Sequence, residues 1–176
     1  MSSRYSLNKN KYLLDPEYNH LEMLLSRYKF KEPRNCLAIA IGLKTGARAQ
    51  EILNLRKNDM NAYDQSLYIK GIKGSNDREL PIPAALFDEI ELFARGLGAS
   101  DPLFDISYHR LRQIWCEYRP VAKKFHCLRH TFAIRLYKKT RDIRLLQVAL
   151  GHRNIANTMI YADYVYSQTE LRRLIL

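Results

Sequence analysis

A mainly α-helical domain with a small three-stranded antiparallel β-sheet, an α+β arrangement, is the fold class this sequence predicts. Three observations carry that reading. Apolar residues recur at helical spacing over most of the chain from residue 15 onward. Between Asp59 and Pro83 that spacing gives way to short runs separated by turn residues. The 176 residues are 47% hydrophobic and 27% charged, enough for one domain with a real core and too apolar for a disordered chain.

Taken in order, residues 1–14 read as a mobile basic N-terminal arm. Asp15-Pro16 supplies an N-cap and a proline at the first helical position, and Leu21, Leu24, Leu25 and Tyr28 form one stripe. A helix is therefore expected over 15–30. Pro33 opens a second helix that runs to Lys44, apolar nearly all round and hence central. Thr45-Gly46 breaks it, and a third helix is expected over 47–55. Strands are expected over 60–63, 66–70 and 79–82, with turn chemistry at Asp64-Gln65 and along 74–77. Helical periodicity returns over 83–96, 107–118, 128–138, 143–150 and 155–161. A last amphipathic stretch covers 168–176, where Leu171, Leu174 and Ile175 share a stripe that Leu176 extends. The domain plan is an arm over 1–14, a main domain over 15–166 and a C-terminal helical tail over 167–176.

Charge is the strongest compositional signal. Lys plus Arg number 29 against 18 Asp plus Glu, a net +11 with neutral His. The excess is uneven: within 107–153 there are twelve basic residues and only Glu117 and Asp142 to oppose them. Such a one-sided field points to a polyanion, nucleic acid above all. No apolar run approaches the ~20 residues of a membrane span, and residues 1–11 lack the apolar stretch of a secretory signal. The expectation is a soluble intracellular protein. Cys36, Cys116 and Cys127 are odd in number with no C-x-x-C pair, which suggests three reduced thiols, at least two of them on helical core faces. A phosphate-binding G-x-x-x-x-G-K-[ST] loop, an H-E-x-x-H pair and a G-x-S-x-G elbow are all missing. The basic half has too few carboxylates to cage two magnesium ions. Phosphodiester chemistry here would rest on side-chain cations.

Four segments suit that chemistry. In 45–51, Arg48 follows a glycine break near a helix N-terminus and pairs with Glu51 at i,i+3, offering its planar fork to a phosphate. Lys73 sits at the tip of a predicted hairpin, with reach as a point charge or proton donor. His126 and Arg129 lie at i,i+3 at the start of an apolar helix, a proton-exchanging group beside a permanent cation. Leu150-Gly-His152 is followed nine residues later by Tyr161, whose phenol would need neighbouring cations or a base to act as a nucleophile. Singly, each has an ordinary explanation: a surface Arg–Glu pair, a solvated turn lysine, a structural histidine, one tyrosine among twelve.

Together and in this order, Thr-Gly-x-Arg-x-x-Glu, a hairpin Lys, His-x-Leu-Arg-His-Thr and Leu-Gly-His with its Tyr resemble the tyrosine recombinase/integrase catalytic domain, over roughly residues 15–165. The resemblance implies the tyrosine recombinase catalytic-domain fold. It also implies Arg48, Lys73, His126, Arg129, His152 and the nucleophile Tyr161 as catalytic residues, with Glu51 in support; Tyr164 and Tyr166 stand at the wrong spacing from His152. In the implied chemistry Tyr161 attacks a backbone phosphorus, leaving a 3′-phosphotyrosyl bond and a free 5′-hydroxyl. Arg48 and Arg129 hold the non-bridging oxygens, His152 adds a hydrogen bond, Lys73 protonates the leaving oxygen and His126 assists proton transfer. No metal, ATP or other cofactor is implied. The implied partners are double-stranded DNA and further copies of the chain, monomeric when free and tetrameric on DNA through exchanged C-terminal tails, in a cytoplasmic, DNA-associated setting without a membrane.

Two other readings stay open: DNA relaxation of the type IB topoisomerase kind, and a DNA-binding module without catalysis. Most members of the family carry a separate helical DNA-clamping domain ahead of the catalytic one, whereas about fourteen residues precede the first expected helix here. The expectation is therefore either a naturally minimal protein, similar to the short fimbrial-switch recombinases, or an excised catalytic fragment.

Overall fold

Helices α1 (Asp15–Tyr28) and α2 (Pro33–Thr45) each carry a proline in the first turn, where its missing N–H has no intrahelical partner to lose. At α1 the expected cap moves by one residue: Leu14 is the N-cap, Asp15 is already helical, and Leu14 N donates to Glu17 Oε2 at 2.8 Å. The computed structural model describes residues 7–72 and 74–176, without the side chains of Ser167, Thr169 and Glu170. Helix α2 is central, as its all-round apolar sequence requires. Leu37, Ala38, Ile39, Ile41 and Leu43 are all buried, packed among α1, α3, α4, α5 and α6. It ends at Gly46 with φ +64°, where a Cβ would lie 2.6 Å from the Phe132 ring; both backbone and space demand glycine.

Helix α3 (Ala49–Leu53) is shorter than expected because Arg48 is extended and serves as its N-cap. The sheet follows as β1 (Met60–Asn61), β2 (Ser66–Ile69) and β3 (Arg78–Pro81), antiparallel and in chain order, with Leu67 opposite Leu80 and Ile69 opposite Arg78. The remaining helices are α4 (Ala84–Phe93), α5 (Tyr108–Tyr118), α6 (Cys127–Thr140), α7 (Ile143–Leu150) and α8 (Ala156–Ile175). Ser107 caps α5, its Oγ accepting from Arg110 N at 3.1 Å. Asp142 caps α7, accepting from Arg144 N and Leu145 N at 2.9 Å each.

The segments expected separately over 155–161 and 168–176 form the single helix α8. Tyr161, Ala162 and Val165 point inward and carry its buried stripe through the expected gap. Beyond them the stripe turns outward: Leu171, Leu174, Ile175 and Leu176 are exposed. Among the described residues, no helix is long and apolar enough to cross a membrane.

Two buried clusters result. One surrounds α2 and includes Phe104, Trp115 and Leu128; the other joins α6, α7 and α8 through Ile134, Tyr137, Leu146, Leu150, Tyr161 and Val165. The second also takes in Leu7 and Tyr12, so the reading of 1–14 as a mobile arm does not hold from residue 7 onward. Leu13 N donates to Thr131 Oγ1 at 2.8 Å, and the hydroxyls of Tyr12 and Tyr164 lie 2.9 Å apart. Apolar anchors outweigh the basic composition there; residues 1–6 lie outside the described residues. Cys36 and Cys127 are buried and Cys116 is exposed, all three as free thiols.

Candidate active site

Arg129 stands on the first turn of α6, 2% exposed, between the ends of two other helices. Its Nη1 donates to Gly46 O and its Nη2 to Leu150 O, both at 2.7 Å. Those carbonyls belong to the C-terminal ends of α2 and α7, where the helix dipole favours a cation. Each terminal nitrogen has a second N–H that these bonds do not use. Burial, and next the charge of Arg48, push Arg129 down to about 9, so it remains cationic at neutral pH.

Arg48 and Glu51 meet as their spacing predicts, with Nη1 to Oε1 at 3.2 Å and Arg48 N to Oε2 at 2.8 Å. A third member joins them that sequence reading did not single out. Arg78, on β3, donates from Nη2 to Glu51 Oε2 at 2.8 Å and from Nε to Ala149 O at 2.9 Å. Burial works to raise the Glu51 carboxyl, but the Arg78 hydrogen bond and charge outweigh it and hold the group below its usual value. Arg48 Nη1 also donates to Ser75 Oγ, on the turn ahead of β3. Asn76 N donates to Gly151 O at 2.9 Å, and Gly151, φ +68°, would place a Cβ 2.6 Å from Asn76 O. The hairpin turn is thereby pinned to α3 on one side and to the α7–α8 junction on the other.

Three histidines complete the site. Burial, followed by the charge of Arg129, pushes His126 and His152 down to about 4, so both rings are neutral at pH 7. His152 Nδ1 lies 2.9 Å from Thr158 Oγ1. With that hydroxyl as donor, the single ring proton sits on Nε2, the tautomer a phosphate oxygen would need. Tyr161 is 2% exposed and lies near enough to Arg129 that its ionised form would favour that cation; its Oη lies 2.9 Å from Nδ1 of His130. Tyr166 is exposed against Tyr137, and Tyr164 is turned toward Tyr12.

Of the expected residues, Arg48, Glu51, His126, Arg129, His152 and Tyr161 thus come together from α3, α6, the α7–α8 junction and α8. Lys73 lies outside the described residues, although Gly74, Ser75 and Asn76 beside it are fixed as above. His130 and Arg78 went unassigned from sequence. A signal existed for His130, which is four residues after His126 and so on the same helical face. None existed for Arg78, whose partners are distant in the chain. Among the described residues, no three His, Cys, Asp or Glu side chains are grouped to hold a metal ion.

The sequence matches the phage integrase family over residues 17–168. It is 31% identical over 141 residues to the tyrosine recombinase XerA of Pyrococcus horikoshii, covering 73% of this chain and 50% of that one. With XerA of Thermococcus kodakarensis the identity is 30% over 154 residues, covering 80% and 55% respectively. The chain spans about half the length of these relatives. Among solved structures it is similar to the catalytic domain of bacteriophage HP1 integrase, with a TM-score of 0.67, 26% identity and 91% of each chain covered. A XerH site-specific recombinase, in a post-cleavage complex with its palindromic difH substrate, gives a TM-score of 0.73 at 26% identity, covering 94% of this chain and 53% of that one. With its four motifs in order and its fold shared with these enzymes, the chain belongs to the phage integrase family of tyrosine recombinases.

Proposed function

We propose that this chain cuts and rejoins DNA strands site-specifically through a covalent 3′-phosphotyrosyl intermediate on Tyr161. The observation that carries the reading is the grouping of a buried phenol with Arg129, whose fork is held by two carbonyls and, among the described residues, forms no ion pair of its own. In the forward step the Tyr161 Oη–P bond forms and the P–O5′ bond breaks. The phenol proton is lost to solvent as the Oη–P bond forms, with His126 assisting its transfer, and Lys73 gives a proton to the departing oxygen. Arg48 and Arg129 hold the non-bridging oxygens as charge builds on them, with His152 as a further donor. The phosphotyrosyl bond conserves the phosphodiester's energy, so attack by a 5′-hydroxyl reverses the step without ATP.

DNA is the polyanion that the basic half of the chain suits. Assembly on DNA would use α8, whose last turns display Leu171, Leu174 and Ile175 to solvent. A groove of about 580 Å³ lined by Leu80, Pro81, Phe132, Leu136, Leu145 and Val148, with Lys44, Asp142 and Arg144 also lining it, would seat that tail from an adjoining copy, up to a tetramer.

The test is incubation with a pool of nicked duplexes of randomised sequence, followed by a denaturing gel. Wild type is expected to form a protein–DNA adduct, and Tyr161→Phe to lose it while still binding DNA. Binding without any adduct would favour a non-catalytic module. An adduct with relaxation of a single supercoiled duplex and no exchange between two would favour the topoisomerase reading. An adduct kept in Tyr161→Phe and lost in Tyr164→Phe would move the nucleophile.

A further inference from the structure

His130 follows Arg129 on α6 and has no part in the chemistry proposed above, yet it is in hydrogen-bonding contact with the phenol. Its Nδ1 lies 2.9 Å from Tyr161 Oη, and the two rings are 5.8 Å apart between centroids. It also packs edge-to-face at 4.8 Å against His126, one helical turn back. Both His130 and Tyr161 are buried, at 6% and 2% exposed. The histidine ring is thus held by α6 and by His126, and the phenol on α8 is held by the ring.

We propose that His130 is the positioning residue for the nucleophile, setting through its Nδ1 where Tyr161 Oη stands relative to the scissile phosphorus. The proposal rests on the reading of Tyr161 as nucleophile. An in-line attack needs Oη, phosphorus and leaving oxygen aligned, and a displacement of about 1 Å costs on the order of 10²-fold in rate. The hydrogen bond with a ring itself wedged against His126 fixes the hydroxyl against a displacement of that size. A direct role as proton acceptor fits poorly. Burial, then the charges of His126 and Arg129, push His130 down to about 3. Against an ordinary phenol at ~10, transfer to it would be about seven powers of ten uphill. His130 therefore orients the hydroxyl while the proton leaves elsewhere.

Three variants of the 176-residue chain test this: His130→Asn, whose amide reaches the position of Nδ1; His130→Gln, whose amide reaches that of Nε2; and His130→Leu, which offers neither. Cleavage of a nicked duplex selected with wild type is followed in single turnover at saturating protein, with DNA affinity and thermal melting measured alongside. We expect His130→Leu to cleave about 10²-fold more slowly with affinity unchanged within about twofold. His130→Asn should recover at least about tenfold of that loss, and His130→Gln should not. A substrate with sulfur at the 5′-bridging position, which needs no acid to leave, should relieve a Lys73→Ala defect and leave the His130→Leu defect in place. Wild-type cleavage by His130→Leu, equal rates for the Asn and Gln variants, or relief by the sulfur substrate would each overturn the proposal. Should the Leu variant fail to fold, the contrast between Asn and Gln decides. If wild type forms no adduct with any duplex, the reading of Tyr161 falls first and this proposal falls with it.

Discussion

Replacing Arg78 by Met keeps most of the side-chain stem and removes the charge from a pair that is sealed from water, with the two side chains 2% and 0% exposed. The loss is the 2.8 Å bond to Glu51 Oε2, the weaker contact to Oε1 at 3.4 Å, and the bond to Ala149 O at 2.9 Å. Removing one partner of a buried ion pair typically costs about 3–5 kcal/mol, because the other charge is left buried. Glu51 retains Arg48, through its backbone N–H at 2.8 Å and Nη1 at 3.2 Å, which places Arg78→Met at the lower end, about 3 kcal/mol. For a chain of 176 residues that is a fall in Tm of roughly 6–12 °C. The assay is thermal and urea unfolding of wild type, Arg78→Met, Glu51→Gln and the double variant. The double variant should be more stable than the sum of the single losses predicts, by at least about 1.5 kcal/mol. Acid adds a second check. Glu51 is held below its usual value, so its stabilisation is complete above the unfolded carboxylate's ~4.3 and drains away as pH falls through the lower folded value. The gap between wild type and Arg78→Met should therefore narrow on acidification below about pH 4. A loss under about 1 kcal/mol at neutral pH, or simple additivity in the cycle, would refute the reasoning.

Arg129→Lys keeps a charge but cannot bond Gly46 O, Leu150 O and a phosphate with one planar fork, so single-turnover cleavage should fall by about 10²–10³-fold while affinity for a nicked duplex changes little. A comparable drop is expected for Arg48→Lys, and near-wild-type rates in both would reduce these arginines to backbone anchors. Deleting 167–176 removes apolar side chains that are exposed here, so the melting temperature should hold within about 2 °C while paired-duplex complexes weaken in a gel-shift titration. A truncated chain that unfolds would instead place the tail in its own fold.

What was legible in the sequence is what local chemistry dictates. Regular apolar spacing predicts α7 at its observed bounds, and the all-round apolar residues of α2 predict its central place. The interruption expected before residue 168 was misplaced because Asp163, Tyr164 and Tyr166 dilute the periodicity, while Tyr161, Ala162 and Val165 sustain the buried face. The packing of residues 7–14 was illegible because it depends on Thr131 and Tyr164, more than a hundred residues away. In the candidate site, the ordered motifs picked out Arg48, Glu51, His126, Arg129, His152 and Tyr161, residues that the fold groups together. Arg78 escaped for the same reason as the packed N-terminal segment: its identity as an ion-pair partner exists only once β3 lies against α3 and α7.

The way Arg129 is held has an electrostatic corollary. Among the described residues, three guanidinium groups, of Arg48, Arg78 and Arg129, lie around the single carboxylate of Glu51, which is paired with the first two, and the histidines around them are uncharged at neutral pH. Peptide carbonyls orient the buried cation but lend it only fractional negative charge, so the cluster keeps an imbalance close to two elementary charges. A phosphodiester brings one negative charge at rest and gains a second as phosphorus becomes pentacoordinate. On the proposed reaction the cluster is thus a salt that a resting backbone half-neutralises and only the activated backbone brings to balance, so that it would select its counter-ion by valence before any base is read.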